Sequence, residues 1–406
     1  MAATDVRSAD STEKSSRHIA SLDSLRGLAA MVVVFSHLLN LYPEFADPKT
    51  APSELQRLIY SPLHLLWAGH EAVVLFFALS GFVLASAMER SRSDRLFLLR
   101  RCFRILPAYW VSLLAAFLLS QALAPPDLKL SSWFDPIWQD ATITQLALHL
   151  PLVGFYNVNA LVPPVWSLTH ELRISLIFPW LHRILVQGKL ASRIAFGFAV
   201  YVIGVLLWFG ARRMQLEWAR DLSETLIWTS AFVAGALLYR TRERWQPWLQ
   251  RQDRFVALWL VCASLLCTWR WWFLPFQGGL HGLGDIPFQL AGATLFILFA
   301  MGANGFRRML EARPLVWLGE ASYSIYLWHC VILVALAHAL FRLGWRVDDI
   351  RTGTVIGTLA LTPILSRASY RWIEKPAMAM GRRLGQPRTS SSLSPESKAG
   401  SSGMGG

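Results

Sequence analysis

Apolar stretches of about eighteen residues or more recur along this chain, and a helix needs a run of that length to cross the hydrocarbon of a bilayer. Ten are read, at roughly 22–42, 64–86, 105–124, 166–186, 194–211, 222–239, 255–272, 286–303, 315–341 and 353–373, with ends good to about three residues. The runs are continuous rather than alternating, which excludes a β-barrel. In lipid every backbone polar group must be paired within its own segment. The expected fold class is therefore all-α, a polytopic integral membrane helix bundle with about ten transmembrane helices. Only 16% of the residues are charged while 54% are hydrophobic, against about a quarter charged in soluble domains. In water such a chain would expose large apolar patches.

The formal charge of +13 invites a nucleic-acid partner, but its distribution reads as topology. With the N-terminus inside, 26 of the 39 Lys and Arg fall in inside segments, 9 in outside loops and 4 within spans. That excess follows the positive-inside rule for a multi-pass membrane protein with both termini cytoplasmic. No basic stripe or reading motif accompanies the charge, so no nucleic acid is expected. Residues 1–18 and 381–406 are Ser-, Gly- and Lys-rich and read as disordered cytoplasmic tails, flanking one membrane domain over 19–380. The N-terminal stretch lacks an apolar core, so no cleavable signal is expected. The four cysteines, Cys102, Cys262, Cys267 and Cys330, lie in or beside apolar segments and read as small buried hydrophobes. Their spacing carries neither a disulfide framework nor a metal motif, and no metal is expected. The longest outside connection, 125–163, holds several prolines together with Trp133, Phe134 and Trp138, and 144–156 reads as a short re-entrant or interfacial helix.

Ionisable groups inside a membrane cost a few kcal/mol each and are functional candidates by default. Arg26 and His37 occupy the first span. Eleven residues of helix turn about 20° past three full turns and rise roughly 16 Å, so the two share one face. Arg26 then lies near the inner surface and His37 at mid-membrane or beyond, where a neutral imidazole can act as base or nucleophile; Asp23 can pair with Arg26. Arginine snorkelling and a helix-bonded histidine are the plain alternative. In the second span, Ala78, Ser80 and Gly81 permit close helix contact, and Glu71 is a helix cap or a substrate contact. Arg101 and Arg104 share a helix face at the inner end of the third span, before a Pro107 suited to a helix start. Such a pair fits bidentate phosphate binding or simple topology. Trp166, Ser167, His170 and Glu171 open the fourth span on the outside, nearer His37 than Arg26, with Arg173 as an available partner for Glu171. Tyr323 and His329 lie in an aromatic ninth span, and the tenth ends at Glu374-Lys375-Pro376.

Taken in order, these segments resemble the membrane-bound acyltransferase 3 family. The likeness covers about 18–380. It rests on Arg-x10-His (Arg26, His37), Phe-Phe-x-Leu-Ser-Gly-Phe (76–82), the Arg101/Arg104 pair before Ile-Leu-Pro, Trp-Ser-Leu-x-x-Glu (166–171), Ser-Tyr-Ser-x-Tyr-Leu-x-His (322–329) and Glu-Lys-Pro (374–376). The resemblance implies an enzyme that moves an acyl group, usually acetyl, from cytoplasmic acyl-CoA to hydroxyls of extracytoplasmic glycans. No bound cofactor is implied; acyl-CoA is the donor substrate, and a glycan acceptor and membrane lipids are the partners. It also implies roles: Arg101 and Arg104 hold CoA phosphates, His37 acts as general base or acyl carrier, and Arg26 and Glu171 orient donor, base or sugar. Trp166, Ser167, Glu71, Tyr323 and His329 support the acceptor side. The competing readings are a transporter of glycan, lipid or anion that needs no acyl-CoA, and an assembly partner that tolerates loss of His37.

Overall fold

The computed structural model describes residues 2–123, 128–273 and 282–384, with side chains described from Ala20 onward and not at 272–273. The expected tail beyond Leu384 lies outside the described residues. All ten segments read as spans are helical. They are α1 (Ala2–Leu39), α2 (Gly69–Glu89), α3 (Asp94–Leu123), α4 (Val165–Val186), α5 (Leu190–Arg213), α6 (Glu217–Arg251), α7 (Val256–Phe273), α8 (Ile286–Gly302), then the shorter α9 (Asn304–Leu310) and α10 (Arg313–Glu320), followed by α11 (Ser322–Arg342), α12 (Val347–Ser369) and a last short α13 (Lys375–Arg383).

Seven of these are long and apolar enough to cross a membrane, and an eighth crossing forms if α8 and α9, bent by 90° at Ala303, count as one broken span. Helices α4 and α12 have 22 and 23 residues but are too polar to qualify by composition. The reason lies in their buried faces: α4 carries Ser167, Thr169, His170 and Ser175 inward, and α12 carries Thr354, Thr358, Thr362 and Ser366. Their polarity faces protein rather than lipid. Helices α5 and α7 are peripheral, and α5 turns Ile194, Phe198, Leu206 and Leu207 outward, as a lipid-facing surface requires.

The centre is α2 against α6. A Cβ on Gly81 would lie 2.0 Å from the Phe232 carbonyl oxygen, and one on Gly235 1.8 Å from that of Ala78. The two backbones meet through reciprocal glycines, the small-residue packing that brings helices together in lipid. Helix α1 runs along α2, α11 and α10; Gly27 and Gly319 allow its approach to α10, where added Cβ atoms would strike backbone at 2.6 and 2.4 Å. The connection 128–164 folds over the end of the bundle at which His37 lies. It includes a short helix, Ile143–His149, close to the expected interfacial one. Its Phe134 and Trp138 are buried against His338.

Two boundary differences bear on the site. Helix α3 begins at Asp94, so Pro107 lies inside it rather than at its start. Arg101 and Arg104 therefore sit two to three turns into the helix instead of at its inner end. The segment 315–341 is broken at Ala321 into α10 and α11.

Candidate active site

A cavity of about 590 Å³ opens among α1, α2, α3, α4 and α11, lined by Arg26, Ser80, Arg101, Arg104, Ser167, Glu171, Tyr323 and Tyr326 among apolar neighbours. Each helix supplies its polar group from the face turned inward, so three guanidiniums converge inside an otherwise apolar bundle. Arg26 Nη1 donates to Asp23 Oδ1 at 3.4 Å, one turn earlier on α1. Arg101 forms an ion pair with Glu171 through Nη2 and donates from Nε to Ser175 Oγ at 3.1 Å. Ser80 Oγ donates to the same Glu171 oxygen at 3.1 Å. Arg104 Nη1 approaches Met378 Sδ at 3.2 Å. Beside this group Glu374 is buried and accepts from Ser324 Oγ at 2.9 Å.

Tyrosines on α11 form the wall opposite. Tyr323 OH donates to the Ile105 carbonyl at 2.8 Å. Tyr326 OH donates to the Pro164 carbonyl at 3.0 Å and shares a 2.7 Å hydrogen bond with Ser167 Oγ. The ring of Tyr326 packs edge-on against that of His329, centroids 6.0 Å apart. One side chain thus separates the arginine cavity from an imidazole pair.

That pair is His37 and His329, with His37 Nδ1 2.9 Å from His329 Nε2. His329 is fully buried and its Nδ1 lies 2.9 Å from the Ile325 carbonyl oxygen. A carbonyl only accepts, so His329 Nδ1 carries the proton and, in the neutral ring, Nε2 is the acceptor. His37 must then donate from Nδ1, which leaves its Nε2 with a free lone pair. A backbone carbonyl thereby fixes the tautomer of His37 through an intervening imidazole. Trp133 stacks on the His37 ring with centroids 4.9 Å apart, while His329 meets it edge to edge and nearly coplanar, centroids 5.2 Å apart. Cys330 Sγ stands 3.3 Å from His37 Nδ1 and 3.4 Å from His329 Nε2.

A second cavity, about 970 Å³, lies toward the N-terminal end of α4. It is lined by Phe155, Tyr156, Trp166, His170, Trp218, Asp221 and Glu224, among others. Arg173 anchors its rim: it pairs with Asp221 and donates to the carbonyls of Val153 and Gly154, at 3.0 Å to the first.

The structure thus gathers Arg26, Arg101, Arg104, Ser167, Glu171 and Tyr323 around one cavity, with His37 and His329 beyond Tyr326. Three placements differ from expectation. Glu171 lies with Arg101 and the Arg26 end rather than beside His37, because the early start of α3 carries Arg101 deep enough to meet it. Arg173, the partner available to Glu171 on its own helix, points to the opposite side of α4 and pairs with Asp221. Glu71 is buried away from the cavity, where it accepts from Trp271 Nε1 at 2.8 Å and from Gln289 Nε2 at 3.5 Å. Trp166 lines the second cavity and is ringed by His70, Phe77 and Trp228. Tyr326 and Cys330 were not singled out from the sequence. Tyr326 stands three residues from both Tyr323 and His329, so helical spacing alone puts the three on one side of α11.

Among known families, the one described as an acyltransferase domain matches residues 19–366. Nodulation protein 10 of Rhizobium leguminosarum bv. viciae is 26% identical over 389 residues, covering 91% of this chain and 96% of that protein. Acyltransferase MdmB of Streptomyces mycarofaciens is 28% identical over 389 residues, 89% of this chain and 92% of the relative. Peptidoglycan O-acetyltransferase OatA of Listeria monocytogenes is 23% identical over 391 residues, 91% of this chain but 57% of the relative, so the chain spans little more than half of that protein. No solved structure matches.

Proposed function

The chain belongs to this family of membrane acyltransferases, and from that premise we propose that it transfers an acyl group, acetyl by analogy with its O-acetyltransferase relatives, from cytoplasmic acyl-CoA to a hydroxyl of an extracytoplasmic glycan. One observation carries the reading: three arginines share an intramembrane cavity that ends one side chain short of a tautomer-fixed imidazole pair. A bilayer interior tolerates such charge where it lines a substrate path.

The Arg26 end is then the cytoplasmic one, a reading supported by the excess of Lys and Arg in the loops on that side. Arg104 and Arg101 meet the phosphates of the donor, for which guanidinium forks are suited. Arg101 is held for this by Glu171 and Ser175, with Ser80 donating to the same Glu171 oxygen, so Glu171 positions an arginine rather than the base. The pantetheine arm threads past Arg26 and Tyr323 toward Tyr326. His37 Nε2 takes the proton from the acceptor hydroxyl as its oxygen attacks the thioester carbonyl. The C–S bond breaks, and the thiol of CoA leaves with a proton returned by the imidazole. His329 acts on this step only through His37, by holding its Nδ1–H. The alternative, acyl transfer first to His37 Nε2, needs the same lone pair and so the same tautomer. The second cavity receives the acceptor. Its Trp166, Trp218 and Phe155 offer faces to a sugar ring, and Asp221 and Glu224 accept from its hydroxyls.

The test is glycan mass spectrometry of a deletion strain complemented with the intact gene or with His37→Ala. A mass difference restored by the intact gene alone is expected and identifies both acyl group and acceptor. Full restoration by a folded His37→Ala protein overturns the assignment.

A further inference from the structure

Beside the imidazole pair stands a thiol that the reaction above leaves unused, that of Cys330. It lies between the two imidazoles, and the potential ligand atoms of His37, His329 and Cys330 all fall within 4.8 Å of one another. The separations are 2.9 Å between the nitrogens and 3.3 and 3.4 Å from each to sulfur. A tetrahedral zinc ion, at about 2.0 Å from nitrogen and 2.3 Å from sulfur, sets its ligands roughly 3.3 Å (N to N) and 3.5 Å (N to S) apart. The trio is therefore within a few tenths of an ångström of a coordination triangle. His329 already has the outer hydrogen bond of a metal-ligating histidine, Nδ1–H to a backbone carbonyl, which leaves Nε2 to coordinate once the two rings tilt out of their present in-line hydrogen bond. His37 and Cys330 are anchored on two packed helices, so the ligands need no loop to close.

We propose that His37, His329 and Cys330 form a binding site for a borderline-soft divalent ion of the zinc class, with one coordination position left for water or a substrate hydroxyl. A thiolate with two neutral imidazoles matches that preference and disfavours magnesium or calcium. Binding displaces the thiol proton to solvent and moves the His37 proton from Nδ1 to Nε2. Charge at the site rises by one unit, the ion contributing two and the thiolate removing one. The consequence is regulatory. Metal on Nδ1 puts the proton on the nitrogen whose lone pair the acyl transfer uses, so the ion switches the enzyme off. The binding stands on the geometry of the trio alone; the inhibition rests on the acyl-transfer reading.

Purified full-length protein in detergent is titrated with Zn²⁺ alone, with Mg²⁺ as the control, and loaded with Co²⁺ as a spectroscopic substitute. One equivalent of Zn²⁺ is expected to bind, Mg²⁺ is not, and the cobalt form shows a thiolate-to-metal charge-transfer band. Cys330→Ser loses the band, weakens Zn²⁺ binding about 100-fold or more by removing the thiolate, and, with each protein's rate taken relative to its own zinc-free value, becomes insensitive to zinc that silences the parent. Zinc binding that survives Cys330→Ser, or a cobalt form without the band, overturns the site. Tight, Cys330-dependent binding with undiminished acyl transfer supports the metal site and overturns the placement of His37 at the reacting atoms.

Discussion

Removing His329 separates the two halves of the proposed chemistry. His329→Ala leaves Arg26, Arg101 and Arg104 in place, so donor binding is untouched. It deletes the acceptor 2.9 Å from His37 Nδ1. Two costs follow. The Nδ1–H loses its nitrogen acceptor and keeps only Cys330 Sγ, a weak acceptor 3.3 Å away, a loss worth about 1–3 kcal/mol, and the ring is freed to carry its proton on Nε2 instead, where it cannot serve as a base. Both act on the chemical step. Taking about 1.5–3 kcal/mol on the barrier gives roughly a 10- to 150-fold fall in kcat. KM for acyl-CoA is expected to stay within about twofold, since uniform binding is unchanged. The assay is acyl transfer from radiolabelled acyl-CoA by protein reconstituted in vesicles, varied in donor concentration. His329→Gln is the companion. Its amide oxygen reaches about as far as Nε2 and can accept from His37, so it should recover most of kcat. A fall in His329→Ala that appears in KM with kcat intact, or a His329→Gln enzyme no better than His329→Ala, refutes the positioning role. Thermal unfolding of both variants in detergent controls for packing, because His329 is fully buried.

Arg101→Ala strips the cation from a buried ion pair and leaves Glu171 uncompensated, which costs about 3–5 kcal/mol. Its midpoint of thermal unfolding in detergent should drop sharply, and adding Glu171→Gln should recover most of it; a double variant as unstable as the single would sink the pairing. Arg104→Ala removes a phosphate contact worth about 1.5–3 kcal/mol, so KM for acyl-CoA should rise about 10- to 150-fold with kcat little changed, and a pure kcat defect would argue against donor binding there. Gly235→Ala places a Cβ 1.8 Å from the Ala78 carbonyl oxygen. It is expected to yield little monodisperse protein on size exclusion, and wild-type yield would show that α2 and α6 can separate at no cost.

The sequence alone determined that this chain spans a membrane as helices, because runs of apolar residues report directly on the thickness and polarity of their solvent. Arg26 and His37 were legible for the same reason: an ionisable residue in an apolar run stands out, and the period of one helix puts the two on one face. Gly81 read correctly as a close-contact residue, though its partner Gly235 did not announce itself. What the sequence left open is whatever depends on a second helix. The depth of Arg101 turned on where α3 begins, and a proline that fits a helix start as well as an interior position could not fix it. Glu171 had Arg173 two residues away on its own helix and Arg101 on another, and packing chose Arg101. The partner of His37 is 292 residues away, so no spacing rule links them, and Cys330 looked like any small hydrophobe among apolar neighbours until α11 laid it against α1. Local periodicity sets the face a residue presents; only the packed bundle decides what that face meets, because polar groups shut off from water must pair with whatever the neighbouring helices bring within reach.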